Sequence, residues 1–265
     1  MRREAMRART LRILMYHAIG EPGEPAARFV VPLPEFERQI AWLARGGFAV
    51  VALESALHAF RAGAAPPRNA VAITFDDGTR DLSTVARPVL ERYGAPATAF
   101  VVTRAMGSSV GWTDQPGLAG RSVLDWREAL ALEPLVALAP HTCTHPSLPT
   151  LDDDTLAAEL RGSREELEQR TGRPAELFAY PYGRYDARVV AAVAEAGFTA
   201  ACSVRRGPND SSTAAFELRR YEVRGDASFA QFVSYLRPKR LRPLARNVRR
   251  RGSALVRRHR SGRPH

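Results

Sequence analysis

The chain has 265 residues, 45% of them hydrophobic and 25% charged, a composition typical of globular rather than disordered proteins. It contains only two cysteines, Cys143 and Cys202, which excludes a small scaffold held together by disulfides. The formal net charge of +11 would suit a nucleic-acid or anionic-membrane partner, so its interpretation depends on where the charge lies.

The excess positive charge lies at the C-terminal end of the chain. Residues 237–265 contain 12 of the 39 Lys and Arg side chains and none of the 28 Asp and Glu side chains. The other 27 basic side chains nearly balance the acidic ones, so the body of the protein is close to neutral. We therefore expect an N-terminal extension (1–10), a single globular domain (11–236) and a basic tail (237–265).

The tail has three interpretations. It could bind an anionic membrane surface, where each basic residue contributes about 1 kcal/mol, or it could be a solvated extension. A nucleic-acid tail is disfavoured, because the body shows no interleaving of aromatic and basic residues.

The apolar stretch Leu11–Tyr16 is too short for a signal-peptide core. We expect a cytoplasmic protein with reduced thiols, peripheral at the inner membrane face if the tail binds lipid.

Short apolar runs alternate with amphipathic stretches, which predicts a mostly parallel sheet covered by helices. The predicted strands are Leu11–Tyr16, Phe48–Ala52, Val71–Phe75, Thr98–Val102, Leu135–Ala139, Leu177–Tyr180, Phe198–Ser203 and Arg219–Val223. The clearest predicted helices are Pro34–Arg45, Asp154–Arg170 and Asp186–Glu195, and residues 103–123 read as a long glycine-rich loop. Seven or eight such strand–helix units fit a closed barrel better than an open sheet.

Polar groups recur directly after predicted strands. They are His17, the pair Asp76 and Asp77, the pair His141 and His145, and the segment Tyr180–Gly183. Because the carboxyl ends of barrel strands open on one face, these groups are expected to converge there. Two histidines and one carboxylate would supply the three protein ligands of a catalytic metal, and the other carboxylate could take a proton from metal-bound water.

Each of these motifs has an ordinary structural explanation when taken alone. An Asp-Asp-Gly after a strand is often a turn or a helix cap, and a His-x3-His is more often an ordinary pair than a metal site. Their joint occurrence after separate strands, in a chain with six histidines, favours a functional site.

Three segments, taken together and in this order, resemble the polysaccharide deacetylases, also called NodB-like carbohydrate esterases. They are Thr74-Phe75-Asp76-Asp77-Gly78, His141-Thr142-Cys143-Thr144-His145-Pro146 and Tyr180-Pro181-Tyr182-Gly183. The resemblance covers roughly residues 10–236. It implies an α/β fold, a distorted (β/α)7 barrel. It also implies metal-dependent removal of N-acetyl groups from N-acetylglucosamine-type glycans or lipid-linked precursors, as in exopolysaccharide biosynthesis.

The resemblance also implies roles for individual residues. Asp76 would be the general base, and the metal ligands would be Asp77, His141 and His145. The ligand set suits Zn²⁺, with Co²⁺ or Ni²⁺ as alternatives. Pro181 and Tyr182 would line the substrate groove, with the backbone N–H of Tyr182 as an oxyanion donor.

The sequence departs from the family pattern at two places. Ala179 stands where the family commonly has an arginine that orients the base, and no histidine lies between positions 145 and 259 to serve as the late general acid. We take His17 as the candidate acid; the alternative is a histidine at the end of a strand that orders a loop. Trp126 and Arg220 are candidate substrate-binding residues. The alternatives are core packing for Trp126 and an ordinary surface position for Arg220.

These departures keep two other functions open. One is a barrel that binds glycan but has lost catalysis. The other is a hydrolase that cleaves the C–N bond of a non-sugar amide.

Overall fold

The computed structural model describes residues 9–236 and shows an α/β fold built on parallel strands. The strands are β1 (Leu11–Tyr16), β2 (Ala18–Gly20), β3 (Val30–Pro32), β4 (Ala49–Val50), β5 (Ala70–Phe75), β6 (Ala97–Val101), β7 (Val136–Pro140), β8 (Leu177–Ala179), β9 (Ala200–Cys202) and β10 (Arg220–Glu222). The helices are α1 (Leu33–Arg45), α2 (Leu53–Arg61), α3 (Arg87–Tyr93), α4 (Trp126–Leu130), α5 (Asp153–Thr171), α6 (Ala187–Glu195) and α7 (Phe229–Leu236). The basic tail lies outside the described residues.

All eight predicted strands are present, some of them shorter by one or two residues at an end. The main sheet has the order β10–β1–β5–β6–β7, with β4 beside β5, and β8 pairs with β9. A bridge between Cys202 and Leu218 links β9 to the chain just before β10. The predicted distorted barrel is therefore confirmed, although β7 and β8 share no strand pairing within residues 9–236.

The inner strands are apolar because both of their faces are covered. Every residue of β5 and β6 is buried, as expected for parallel strands between a barrel interior and a helical layer. The interior includes Ile13, Ala72, Phe100, Ala139 and Leu218. Within residues 9–236, no helix has the length and apolar composition that a bilayer crossing requires.

The predicted helices correspond to α1, α5 and α6, and α5 is the one that supports the candidate site. The carboxylate of Asp152 accepts a hydrogen bond from Thr155 N at 2.8 Å and caps the start of α5. Gly172, at φ 69°, ends the helix in the left-handed conformation that glycine adopts without strain. The buried face of α5 carries Leu156 and Leu160, and also Glu159.

The strand register brings the polar segments to one edge. Tyr16 lies opposite Phe75 where β1 and β5 end together, and Asp76 N donates to Tyr16 O at 3.0 Å. At the end of β7, His141 N donates to Val101 O at 2.8 Å. The residues that follow β1, β5, β6 and β7 therefore leave the sheet at the same level.

Candidate active site

Asp77, His141 and His145 form a buried cluster at this edge. The ligand atoms of the three side chains all lie within 4.8 Å of one another. The Asp77 Oδ1 atom is 3.4 Å from His145 Nε2 and 3.9 Å from His141 Nε2. The three residues predicted as metal ligands are therefore brought together by the fold.

The orientation of His141 is fixed by a backbone carbonyl. Its Nδ1 lies 2.7 Å from the Ala179 carbonyl oxygen, so Nδ1 carries the proton and donates it. The Nε2 lone pair is left to face Asp77, which is the arrangement common for histidines that ligate a metal. Burial lowers the pKa of His141 and lowers the pKa of His145 to about 2, so both rings are neutral at pH 7.

A buried glutamate holds the loop between the two histidines. The Glu159 carboxylate on α5 accepts hydrogen bonds from Cys143 N at 2.8 Å, Thr144 N at 3.0 Å and Thr144 Oγ1 at 2.7 Å. Within the loop, Thr142 Oγ1 accepts a hydrogen bond from His145 N at 2.9 Å. Sequence reasoning missed Glu159, because nothing in the pattern of α5 distinguishes it from the exposed glutamates.

The backbone at the site is strained. Residues 9–236 contain five non-glycine residues with positive φ, and four of them lie here: Asp77 (71°), Thr142 (70°), His145 (64°) and Tyr182 (56°). Each such conformation costs on the order of 1–3 kcal/mol, and such residues cluster at functional sites. The rest of the fold must hold the ligands in these positions.

Asp76 makes a different set of contacts from Asp77. Arg220 Nη1 donates to Asp76 Oδ1 at 2.6 Å, and Nη2 donates to Oδ2 at 2.7 Å. Arg220 also donates to Ser203 O and Thr74 Oγ1. Burial raises the pKa of Asp76, but the opposing charges, led by Arg220, outweigh it and lower the pKa to about 2. Asp76 is therefore held ionised.

The expectation that Arg220 contacts substrate needs correction. Its side chain has no exposed surface, and its guanidinium lies inside the barrel beside the Phe100 ring, at 5.6 Å from the centroid. Since it reaches the site only through Asp76, Arg220 is a positioning residue. The guanidinium that contacts Asp76 therefore comes from β10.

His17 follows β1 at the edge of the sheet where Asp76 follows β5. It is close enough for the charges of Asp76 and Arg220 to influence it, but burial dominates and lowers the pKa of His17 to about 4. Its ring packs on Phe29, and within residues 9–236 its buried Nδ1 atom has no hydrogen-bond partner. His17 is therefore neutral at pH 7, and its role as the acid stays a prediction.

The aromatic residue at the histidines is Trp112 rather than the predicted Trp126. Trp126 packs against the core from α4, with Arg170 over its ring at 5.2 Å, and we correct its role from substrate contact to packing. Trp112 stacks on His145, with ring centroids 5.0 Å apart and an interplanar angle of 26°. In the sequence, the only sign that Trp112 lies at the site was its position in the glycine-rich segment 103–123.

Tyr182 completes the aromatic surroundings of His145. Its ring meets the imidazole edge-to-face at 4.5 Å, and its hydroxyl donates to Trp112 O at 2.7 Å. Tyr182 is 45% exposed, whereas Pro181 is buried. Of the two residues predicted to line the groove, only Tyr182 presents a surface to a ligand, so the expectation for Pro181 is corrected to shaping the turn.

The donor set fits a divalent cation. Burial, and then the charge of Asp76, raise the pKa of Asp77 to about 7, because this carboxylate faces two neutral imidazoles while Arg220 is engaged by Asp76. A cation among these three groups would remove that electrostatic cost. Two imidazoles and one carboxylate also match the three-ligand sets of catalytic zinc sites.

Comparisons with known proteins show which proteins this chain resembles. The family model described as polysaccharide deacetylase matches residues 63–201 of the chain. YxkH of Bacillus subtilis (strain 168), a protein named for this family, is 26% identical over 226 residues, which span 85% of this chain and 76% of YxkH. The poly-beta-1,6-N-acetyl-D-glucosamine N-deacetylase of Staphylococcus aureus (strain MSSA476) is 25% identical over 165 residues, spanning 58% of this chain and 54% of that protein.

Solved structures share the fold. The Streptococcus pyogenes deacetylase PplD in complex with acetate superposes with a TM-score of 0.74 at 23% identity, covering 86% of this chain and 99% of that one. IcaB from Ammonifex degensii gives a TM-score of 0.72 at 23% identity, covering 86% and 97% of the two chains.

Proposed function

Because this chain belongs to the polysaccharide deacetylase family, we propose that it hydrolyses the N-acetyl group of an N-acetylated sugar, such as an N-acetylglucosamine unit of a glycan or lipid-linked precursor. The observation that carries the proposal is that two adjacent buried carboxylates have different partners. Asp76 is paired with Arg220, whereas Asp77 faces two imidazoles. The name of the Staphylococcus aureus relative supports a poly-N-acetylglucosamine substrate.

Asp77, His141 and His145 would hold a divalent ion, with Zn²⁺ as the first candidate and Co²⁺ or Ni²⁺ as alternatives. When bound, such an ion supplies Lewis acidity, which polarises an amide carbonyl and makes water easier to deprotonate. The hydrogen bond from His141 to Ala179 O keeps the correct ring nitrogen available. The neutral state of both imidazoles means that neither must lose a proton to bind.

Asp76 accepts the proton of the attacking water. Arg220 bonds both carboxylate oxygens but leaves each a second lone pair, so it fixes the plane of the group without blocking it. A carboxylate with a pKa of about 2 retains a proton only briefly. Asp76 passes the proton to the neutral His17. His17 is the proposed acid, which donates that proton to the leaving amine nitrogen as the C–N bond breaks.

Tyr182 presents its exposed ring to the sugar, while its backbone N–H stays the proposed donor to the developing oxyanion. Such a donor contributes about 3–4 kcal/mol to transition-state stabilisation. The glycan-binding alternative drew part of its support from the missing arginine at position 179. With Arg220 paired to Asp76, that departure no longer favours it.

We extend the proposal to the basic tail 237–265, which would hold the enzyme near an anionic membrane carrying a lipid-linked substrate. Liposome sedimentation of the full chain and of a form ending at Leu236 tests this part separately. Equal sedimentation of the two forms would contradict it.

The central test is acetate release from N-acetylated sugars, free and lipid-linked, with and without added Zn²⁺. Release that requires the ion and is lost in Asp76→Asn supports the proposal. Stoichiometric ion binding without acetate release from any of these sugars would favour the glycan-binding alternative. Ammonia or amine release from non-sugar amides would favour the other one.

A further inference from the structure

The indole N–H of Trp112 is buried, and within residues 9–236 it forms no regular hydrogen bond. The Nε1 atom is shielded from solvent and has no hydrogen-bond partner there. Leaving such a donor unpaired costs about 1–3 kcal/mol. The ring that carries it stacks on His145, so the unpaired N–H is placed at the edge of the candidate metal site.

The group that this N–H meets is Asp77. Asp77 Oδ1 lies 3.4 Å from His145 Nε2, directly beside the stacked rings. Burial and the charge of Asp76 raise the pKa of Asp77, and the indole N–H acts in the opposite direction by favouring the ionised carboxylate. Trp112 and Asp77 are therefore close enough to interact, although the N–H does not reach the geometry of a regular hydrogen bond.

The loop that carries Trp112 is fixed on both sides. Within it, Val110 N donates to Arg121 O at 2.8 Å. The Arg121 guanidinium is paired with the buried Asp81 carboxylate at 3.1 Å. At the tip, the Trp112 carbonyl accepts the Tyr182 hydroxyl at 2.7 Å. Trp112 is thus held from two directions rather than placed on a free loop.

We propose that Trp112 is a positioning residue of the metal centre: its indole N–H donates to the Asp77 carboxylate and turns that group so that one oxygen faces the two histidines. This rests on the proposed function only in taking Asp77, His141 and His145 as ligands. Partners of this kind, placed behind metal ligands, typically change metal affinity by 10- to 100-fold. The same stacking that places the N–H also makes the indole a reporter of the ion.

The test compares Trp112→Phe with Trp126→Phe in the full-length protein. Phenylalanine keeps the aromatic face on His145 but removes the N–H, whereas Trp126 packs away from the site and serves as the matched control. Zn²⁺ affinity is measured by competition with a chelator, and circular dichroism checks the fold of both variants. We expect a 10- to 100-fold weaker affinity for Trp112→Phe only, and acetate release that recovers at high Zn²⁺.

A second readout is tryptophan emission during Zn²⁺ titration. The emission change should persist in Trp126→Phe and vanish in Trp112→Phe. Unchanged Zn²⁺ affinity in a folded Trp112→Phe overturns the proposal. This includes the outcome in which only acetate binding weakens, because the N–H would then contact the bound acetate instead of Asp77. If the wild type binds Zn²⁺ but releases no acetate, the proposed function fails, while the affinity comparison still decides the role of Trp112.

Discussion

Arg220 and Asp76 form a bidentate ion pair inside the barrel, although 144 residues separate them along the chain. Arg220 begins β10 opposite Ile13 of β1, whereas Asp76 follows the end of β5. The long side chain therefore extends through the interior from a lower level of the barrel to its carboxyl edge. Position 220 lies outside the segment 63–201 matched by the family model, so the pair joins a matched motif to an unmatched part of the chain.

Replacing Arg220 by alanine should be severely destabilising. Breaking a buried ion pair by removing one partner costs about 3–5 kcal/mol, because the Asp76 charge is left uncompensated. Urea denaturation measures this loss, and Arg219→Ala, at an exposed neighbouring position, is the control. Arg220→Lys retains the charge but not the bidentate geometry, so it should recover part of the stability and little of the activity. Equal stability of Arg220→Ala and the wild type would contradict the role given to the pair.

The strands and the four central site residues could be predicted from the sequence for one physical reason. Parallel strands with both faces covered read as continuous apolar runs, and the first polar residue after each run marks the open edge. Asp76 and His141 follow β5 and β7 in this way. Strands β2 and β3 were not predicted: β2 begins one residue after β1 and β3 runs directly into α1, so no turn or loop separates them from those elements in the sequence.

The contacts that tune the site could not be predicted. The contact of Arg220 with Asp76 depends on a long side chain that crosses the barrel interior. Two residues 144 positions apart show no sign of such a contact in the sequence. Trp112 reaches His145 because of a loop conformation, which no periodicity specifies. Glu159 is one buried carboxylate on a strongly polar helix, so only the tertiary structure shows which glutamate faces inward.

Replacing Asp76 by asparagine should have a different effect from replacing Asp77 by asparagine. Asp76→Asn removes the proton acceptor, and general base catalysis contributes typically about 10²- to 10⁴-fold, so kcat should fall by that order while Zn²⁺ still binds. Asp77→Asn removes an anionic ligand from the cluster and should abolish tight Zn²⁺ binding. Isothermal titration calorimetry and acetate release separate the two effects. Loss of Zn²⁺ binding in a folded Asp76→Asn would reverse the assignment.

Zn²⁺ affinity should fall below neutral pH because of Asp77. Its pKa in the ion-free protein is raised to about 7, so below that pH the ion must displace a proton from the carboxylate. The apparent affinity should then drop about tenfold for each pH unit below 7 and level off above it. His145, with its pKa lowered to about 2, adds nothing to this dependence in the same range.

Calorimetry in buffers of different ionisation enthalpy checks this by counting protons. About one proton per ion should be released near pH 5.5 and almost none near pH 8.5. Proton release that grows above pH 8 instead would show that a group other than Asp77 controls binding.

Removing the Glu159 carboxylate should loosen the loop between the two ligand histidines. Glu159→Ala leaves the N–H groups of Cys143 and Thr144 without their acceptor, and each unpaired buried donor costs about 1–3 kcal/mol. Glu159→Gln should be much milder. Its amide oxygen can still accept both N–H groups, and the Thr144 hydroxyl can turn to accept from the amide nitrogen.

Thermal unfolding with and without Zn²⁺ measures both consequences of the Glu159 exchange. The ion-free Tm should fall most in Glu159→Ala, and the Tm increase on adding Zn²⁺ should shrink in the same variant, because a loosened loop binds the ion less tightly. Glu165→Ala, at an exposed position of the same helix, removes the same charge without touching the loop. If it lowers the Zn²⁺-induced increase as much as Glu159→Ala does, the effect arises from net charge rather than from the hydrogen bonds to the histidine loop.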